Sequence, residues 1–293
     1  MTRRLLPCVP CCVLVVVALA APSAGANVPS CRAPRVLGDG PHLAAEEVRE
    51  AGCAVIIRRP PGNRSNRLII VAQSLRPGAV VPIGTRVRLT LGPRPPAPKN
   101  CEAPRFSTVL VSSGEILAWV NPLEEADNEN SFGEGSREYV ACTRPAGRKW
   151  EFFTSEVSLS ADATLETLHS AGHFLAFTSS AADHYNSGND ALSVLDIEHR
   201  HTIFHAEYQF EEDQSGYTTF GEFALDEHGT LAWLKETALG ANRPTYTLEL
   251  HDTDGNSTIE AEAAISDPTI AAGVLSWVGT GGASRSEPLP AGS

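Results

Sequence analysis

A chain of 293 residues with 42 % hydrophobic side chains can bury a sizeable core and has room for more than one domain. Its 35 acidic residues against 23 basic ones give a net charge of −12, which argues against nucleic acid as a partner. Beyond the first residues no apolar run approaches the ~20 that a helix needs to cross a bilayer, so no transmembrane anchor is expected in the mature chain.

The chain opens with Arg3 and Arg4, an apolar run over residues 11–21, and the small residues Ala24, Gly25 and Ala26. This is the pattern of a secretory signal peptide over residues 1–26. Its removal discards Cys8, Cys11 and Cys12 and leaves Cys31, Cys53, Cys101 and Cys142 for an oxidising compartment, where an even count means disulfides. Three pairings are possible, and order along the chain favours the local ones, Cys31 with Cys53 and Cys101 with Cys142. A zinc site is disfavoured because no Cys-x-x-Cys pair lies beyond residue 26.

Residues 27–92 read as a small α+β module. Pro41 stands where a first helical residue should be, Ala44, Val48 and Ala51 follow at helical spacing, and Gly52 supplies a left-handed stop. Three strands are predicted after it, over residues 54–58, 68–73 and 85–91. In the last of these Val87, Leu89 and Leu91 alternate with Arg86, Arg88 and Thr90, which means one buried face and one wet face. Pro77, Gly78 and Gly84 punctuate the reversals between the second and third strands.

The order of these elements resembles the PASTA domain, the small extracellular module of bacterial penicillin-binding proteins and Ser/Thr kinases. Pro34, Val36 and Gly38 match its opening, residues 43–51 its short helix, and residues 73–91 its Gln-Ser, Pro-Gly and closing Val-x-Leu pattern. The resemblance implies a non-catalytic, extracytoplasmic role, either binding peptidoglycan fragments or spacing domains in the cell envelope. Arg58, Arg59, Arg64 and Arg67 cluster around the module's first reversal, and Arg86 and Arg88 line the wet face of its final strand. Paired guanidinium groups suit the carboxylates and phosphates of muropeptides or anionic wall polymers.

Pro93, Pro95, Pro96 and Pro98 make residues 93–100 a stiff, extended linker. The charge changes sign across it. Residues 27–99 hold 12 Arg or Lys against 4 Asp or Glu, a net +8, while residues 100–293 hold 9 against 31, a net −22. A basic module would tether to anionic wall material and an acidic domain would project from it. Residues 101–293 read as all-β, with a unit that recurs as Leu117-Ala118-Trp119, Leu175-Ala176-Phe177, Leu231-Ala232-Trp233 and Leu275-Ser276-Trp277, each a few residues after a glycine. Strand pairs follow the first three, and residues 106–111 could close an incomplete ring. Such a repeat loosely resembles β-propeller blades, with a β-sandwich as the alternative.

Chemistry is sparse. His169 and His173 lie four apart, and His199, His201 and His205 share strand parity, yet so polar a segment reads as a solvent-facing strand, and neither a metal nor a cofactor is assigned. Asp252, Asp254 and Asn256 start like a calcium loop, but Gly255 is misplaced and Ala263 stands where a closing glutamate belongs, so a hairpin turn fits better. Glu124, Glu125, Asp127 and Glu129 follow the first repeat, and Asp183, Asn186, Asn189 and Asp190 the second, in equivalent loops. No catalytic residue is assigned. The expected function is that of a secreted, cell-envelope-associated binding protein; the alternative is a wall-targeted hydrolase with carboxylates in the loops of the β domain.

Overall fold

The computed structural model describes residues 29–61, 68–96, 98–125, 135–144, 147–157, 161–183, 187–210, 216–239, 243–252, 255–261 and 266–289. Residues 1–26, read above as a signal peptide, lie outside them. The protein is mostly β, with a single α-helix among the described residues, and that helix is not long and apolar enough to cross a membrane.

The N-terminal module is built from β1 (Ser30–Arg32), α1 (Pro41–Glu50), β2 (Ala54–Arg58), β3 (Leu68–Gln73), β4 (Val80–Pro82) and β5 (Arg86–Pro93). Pro41 sits at the helix start, and Gly52, at φ +80°, turns the chain after the end, so the sequence punctuation acts as expected. Strand β5 is central, parallel to β2 and antiparallel to β3. Ala44 and Val48 of α1 cover one face of this sheet, burying Val87, Leu89, Leu91 and Ile70. The short β1–β4 pair sits beside it, and a Cys31–Cys53 disulfide joins β1 to the end of the helix turn.

The rest of the chain forms four successive antiparallel units. The first holds β6 (Thr108–Ser112), β7 (Ile116–Val120), a short β8 (Glu124–Glu125), β9 (Gly135–Thr143) and β10 (Lys149–Val157). The second holds β11 (Ala161–Ala171), β12 (Phe174–Asp183), β13 (Gly188–Asp196) and β14 (His201–Phe210), joined to the first where Val157 pairs with Asp162. The third holds β15 (Gly216–Leu225), β16 (Leu231–Leu239), β17 (Thr245–Asp252) and β18 (Gly255–Ala261). The fourth holds β19 (Ser266–Ala271), β20 (Val274–Val278) and β21 (Ser284–Pro288). Segment 106–111, expected as a possible ring closure, instead supplies most of β6 and pairs with β7 inside the first unit.

The recurring Leu-small-aromatic unit falls on the second strand of every unit, β7, β12, β16 and β20, and its alternation explains how the units stack. Leu and the aromatic point to one face and the small residue to the other, because side chains alternate along a strand. Ile116 and Ala118 of unit one pack with Leu175 and Phe177 of unit two. Phe174 and Ala176 of unit two pack with Leu231 and Trp233 of unit three, and Ala232 and Leu234 of unit three with Leu275 and Trp277 of unit four. The small face of each unit therefore receives the aromatic face of the next. The aromatic face of unit one, Leu117 and Trp119, is covered instead by Cys101 and Ala103, held there by the Cys101–Cys142 disulfide. Replacing Ala176, which is fully buried, by leucine would overpack the joint between units two and three and is expected to cost about 1–3 kcal/mol, read from chemical denaturation.

The proline segment does not hold the two halves apart. Helix α1 presents Leu43 and Glu47, four residues apart on one side, to β9, where Leu43 lies against Gly135 and Glu47 pairs with Arg137 at 3.4 Å. The loop before the helix meets residues 121–123: Asp39 Oδ1 accepts the Leu123 N–H at 2.8 Å, and the Gly40 N–H donates to the Leu123 carbonyl at 3.3 Å. Arg35 donates to the carbonyls of Phe106 and Ser107, Arg94 pairs with Glu124, and Lys149 donates to the Pro98 carbonyl. The two ends of the proline segment are thus attached to bodies that touch.

Candidate functional site

Two places on the molecule concentrate side chains able to bind something. The first is the open face of the module's sheet. Because α1 covers only one side, the other side of β2 and of the first half of β5 faces solvent, while Ile69 of β3 and its partner Gly92 are buried. In the parallel β2–β5 register Ala54 pairs with Arg86, Ile56 with Arg88, and Arg58 with Thr90. Partners across a ladder point to the same side. Arg58, Arg86, Arg88 and Ile56 therefore share the open face, and all four are exposed. None of the three arginines forms a salt bridge with a described residue. Arg59 is exposed just beyond the end of β2, and Arg64 and Arg67 lie outside the described residues.

The second is a group of turns at one end of units two and three. Strand β11 returns into β12 through Gly172, at φ +55°, where an added Cβ would lie 3.2 Å from the Glu227 carbonyl in the β15–β16 turn. Glycine at that spot lets the two turns approach closely, with His173 next to it. At the end of β13, Asp196 is 5 % exposed. Its Oδ1 accepts the His199 backbone N–H at 2.9 Å, an Asx-type turn, while Oδ2 lies 2.7 Å from His199 Nδ1 and 3.7 Å from His173 Nε2. Burial pushes the Asp196 carboxyl up, but the His199 backbone and ring hydrogen bonds and the charges of His173 and His199 outweigh it and hold it below the ordinary carboxylate range. The hydrogen bond to Asp196, and then its charge, raises His199. Glu198 completes the group: one of its oxygens and one ring nitrogen from each of His173 and His199 lie within 4.8 Å of one another.

The histidines thus sort differently from their spacing. His173 and His199 come together from separate turns. His201, at the start of β14, has its ring 6.3 Å from that of His199, about as near as the His173 ring at 6.2 Å, but it is not one of the three groups whose ligand atoms converge. His205 is apart, its Nδ1 within 2.9 Å of Ser193 Oγ. Parity along the strand does not carry through because β14 has a bulge: Leu195 pairs with Thr202 but Val194 with Phe204, so Ile203 is extra. His169 packs its ring on Phe223 at 4.6 Å. Asp196 and Glu198 escape a reading by residue type because they sit at a strand end and in a tight turn; the Asp-x-x-His spacing of the turn was the available signal.

The acidic positions expected in loops lie in strands where they are described: Glu124 and Glu125 form β8, Asp183 ends β12, and Asn189 and Asp190 belong to β13, because the strands run on beyond the apolar repeat unit. Glu124 pairs with Arg94, Asp190 accepts from the Thr219 hydroxyl, and Asn189 donates to Glu207 at 2.8 Å. Asp127, Glu129 and Asn186 lie outside the described residues. Asp252 pairs with Gly255 across the β17–β18 hairpin, where Gly255 has φ +115°. The position of Asp254 falls outside the described residues. No protein-family model, no curated protein and no solved structure matches this chain.

Proposed function

We propose that the protein is a secreted, non-catalytic binding protein of the bacterial cell envelope, in which a PASTA-like module holds peptidoglycan fragments or an anionic wall polymer and a propeller-like β domain presents a second surface. The observation that carries the reading is the open sheet face with Arg58, Arg86 and Arg88 on one side and without carboxylate partners among the described residues. Like charges gathered on one exposed face repel one another, and an anionic ligand relieves that repulsion. The order of helix and strands in the module supports the PASTA-like assignment, and the stacking of small face on aromatic face supports a propeller-like array. The two disulfides fit an oxidising, extracytoplasmic setting. Because the module is docked on the acidic domain, the basic face and the β domain would move as one body rather than as tether and projection.

Co-sedimentation of the mature chain with purified cell wall tests this. Each of Arg58→Ser, Arg86→Ser and Arg88→Ser is expected to weaken binding about twofold to fivefold, the range of exposed ion pairs, and the triple variant by more than the largest single effect. Added salt should weaken the wild type and leave the triple variant little changed. Pelleting that is indifferent to both salt and the triple replacement would sink the proposal.

A further inference from the structure

The turn cluster of unit two does not belong to the arginine face and has its own chemistry. Two imidazoles and one carboxylate converge, and they differ in what surrounds them. His199 is two-thirds exposed and Glu198 is exposed, whereas Asp196 behind them is buried and already committed to His199. With His199 Nδ1–H donating to Asp196 Oδ2, the basic nitrogen of that ring is Nε2. A carboxylate that fixes the tautomer and raises the basicity of an imidazole is the usual outer support of a histidine metal ligand.

From this geometry we infer that His173, Glu198 and His199 form a binding site for a divalent transition-metal cation, with zinc the best match and Asp196 positioning His199. Hard cations are a poor match, because calcium and magnesium take oxygen donors and two of the three groups here are nitrogens. Two imidazole nitrogens and a carboxylate oxygen are a common zinc set, with a fourth position left for water or an external ligand. One ring nitrogen of each histidine and one Glu198 oxygen lie within 4.8 Å of one another, and the exposed Glu198 side chain can rotate to close the remaining gap while Asp196 holds His199. Zinc at this point would clip the β11–β12 turn to the β13–β14 turn, cross-linking the two hairpins of one unit on the same end where Gly172 brings in the turn of unit three. The cation would be open to solvent on one side.

The test is calorimetric titration of zinc into metal-free full-length mature protein, with cobalt as a spectroscopic substitute that reports a tetrahedral nitrogen and oxygen environment. One equivalent is expected to bind in the micromolar range. His173→Ala and His199→Ala should each lower the affinity about tenfold or more, and Asp196→Asn, which retains an acceptor for the His199 backbone N–H, should do so by about tenfold through the ring alone. His199→Ala also strips the buried Asp196 of its ring partner and is expected to lower the melting temperature of the metal-free protein, whereas Glu198→Gln changes only an exposed side chain and is expected to leave it unchanged, so loss of zinc in the Glu198 variant reports the site and not the fold. A flat titration of the wild type overturns the inference. So does zinc uptake that survives in the His173→Ala/His199→Ala double variant, since the metal would then sit on other surface histidines such as His201 or His228.

Discussion

Replacing Gly38 by alanine is expected to separate the N-terminal module from the β domain. Gly38 has φ +96°, a conformation that costs an L residue about 1–2 kcal/mol. The added methyl would also lie against the ring of Pro122, with Pro122 Cβ at 2.7 Å and Phe106 Cβ at 2.8 Å. A proline ring cannot rotate out of the way, and Phe106 is itself held at φ +77°, with its carbonyl receiving Arg35, so the clash falls on two backbones. Overpacking of this kind adds about 1–3 kcal/mol, for a total of about 2–5 kcal/mol, comparable to what a small inter-domain contact supplies. Within the module the same loop is bonded to β3, through Gly38 N–H to the Ile70 carbonyl at 2.7 Å, so relief comes most easily by giving up the contact with residues 121–123. Trypsin reads this out, because Lys99 and Arg105 lie in the exposed connection and become cleavable once the two bodies part. Gly78→Ala is the control: Gly78 has φ +81° but nothing within 4 Å of an added Cβ, so it bears the backbone cost alone and should leave the connection protected. Equal protection in both variants would mean that the docking does not depend on this contact.

Much of the architecture was legible because it rests on local rules. Pro41 and Gly52 bracket the helix, alternation marks β5, and the Leu-small-aromatic unit identifies the second strand of all four units, since packing against a neighbour on both faces demands a large residue on one side and a small one on the other. The docking was not legible. Gly38 and Asp39 look like turn residues in sequence, and their partners Pro122 and Leu123 stand more than 80 residues away. Four prolines specify a stiff connection but say nothing about whether the bodies at its ends touch. The metal-ligand geometry was hidden for a related reason. Strand parity groups His199, His201 and His205, whereas the bulge at Ile203 and the turns at Gly172 and Asp196 decide which rings meet.

Asp39 makes the docking of the two halves strongest in mildly acid solution. It is 3 % exposed; Oδ1 accepts the Leu123 N–H, and Oδ2 is buried without a hydrogen-bond partner among the described residues. Burial pushes its pKa from the ordinary 3.8 up to about 6, and the Leu123 hydrogen bond together with the Arg137 and Arg35 charges only partly offsets this. Glu47, beside it, is raised as well, by burial and then by repulsion from Asp39, with Arg137 opposing. A carboxyl raised in the folded state binds its proton there more tightly than in the unfolded chain. Its contribution is complete below the unfolded pKa and is lost as pH rises through the window from 3.8 to about 6, which corresponds to about 3 kcal/mol for Asp39. The wild-type chain is therefore expected to gain stability as the pH is lowered from about 7 to about 5. Relief of repulsion in a chain of net charge −12 works in the same direction, so the slope alone does not identify the group. Asp39→Asn does. The amide keeps an oxygen for the Leu123 N–H and removes the buried charge, leaving an unpaired N–H that costs about 1–3 kcal/mol at every pH. Denaturation midpoints of the two chains, measured side by side across this window, should converge or cross above about pH 6 and diverge below it, with the variant the flatter curve. Parallel curves would remove Asp39 from the account and leave the interface held by Leu43 against Gly135 and the backbone bond of Gly40, neither of which titrates.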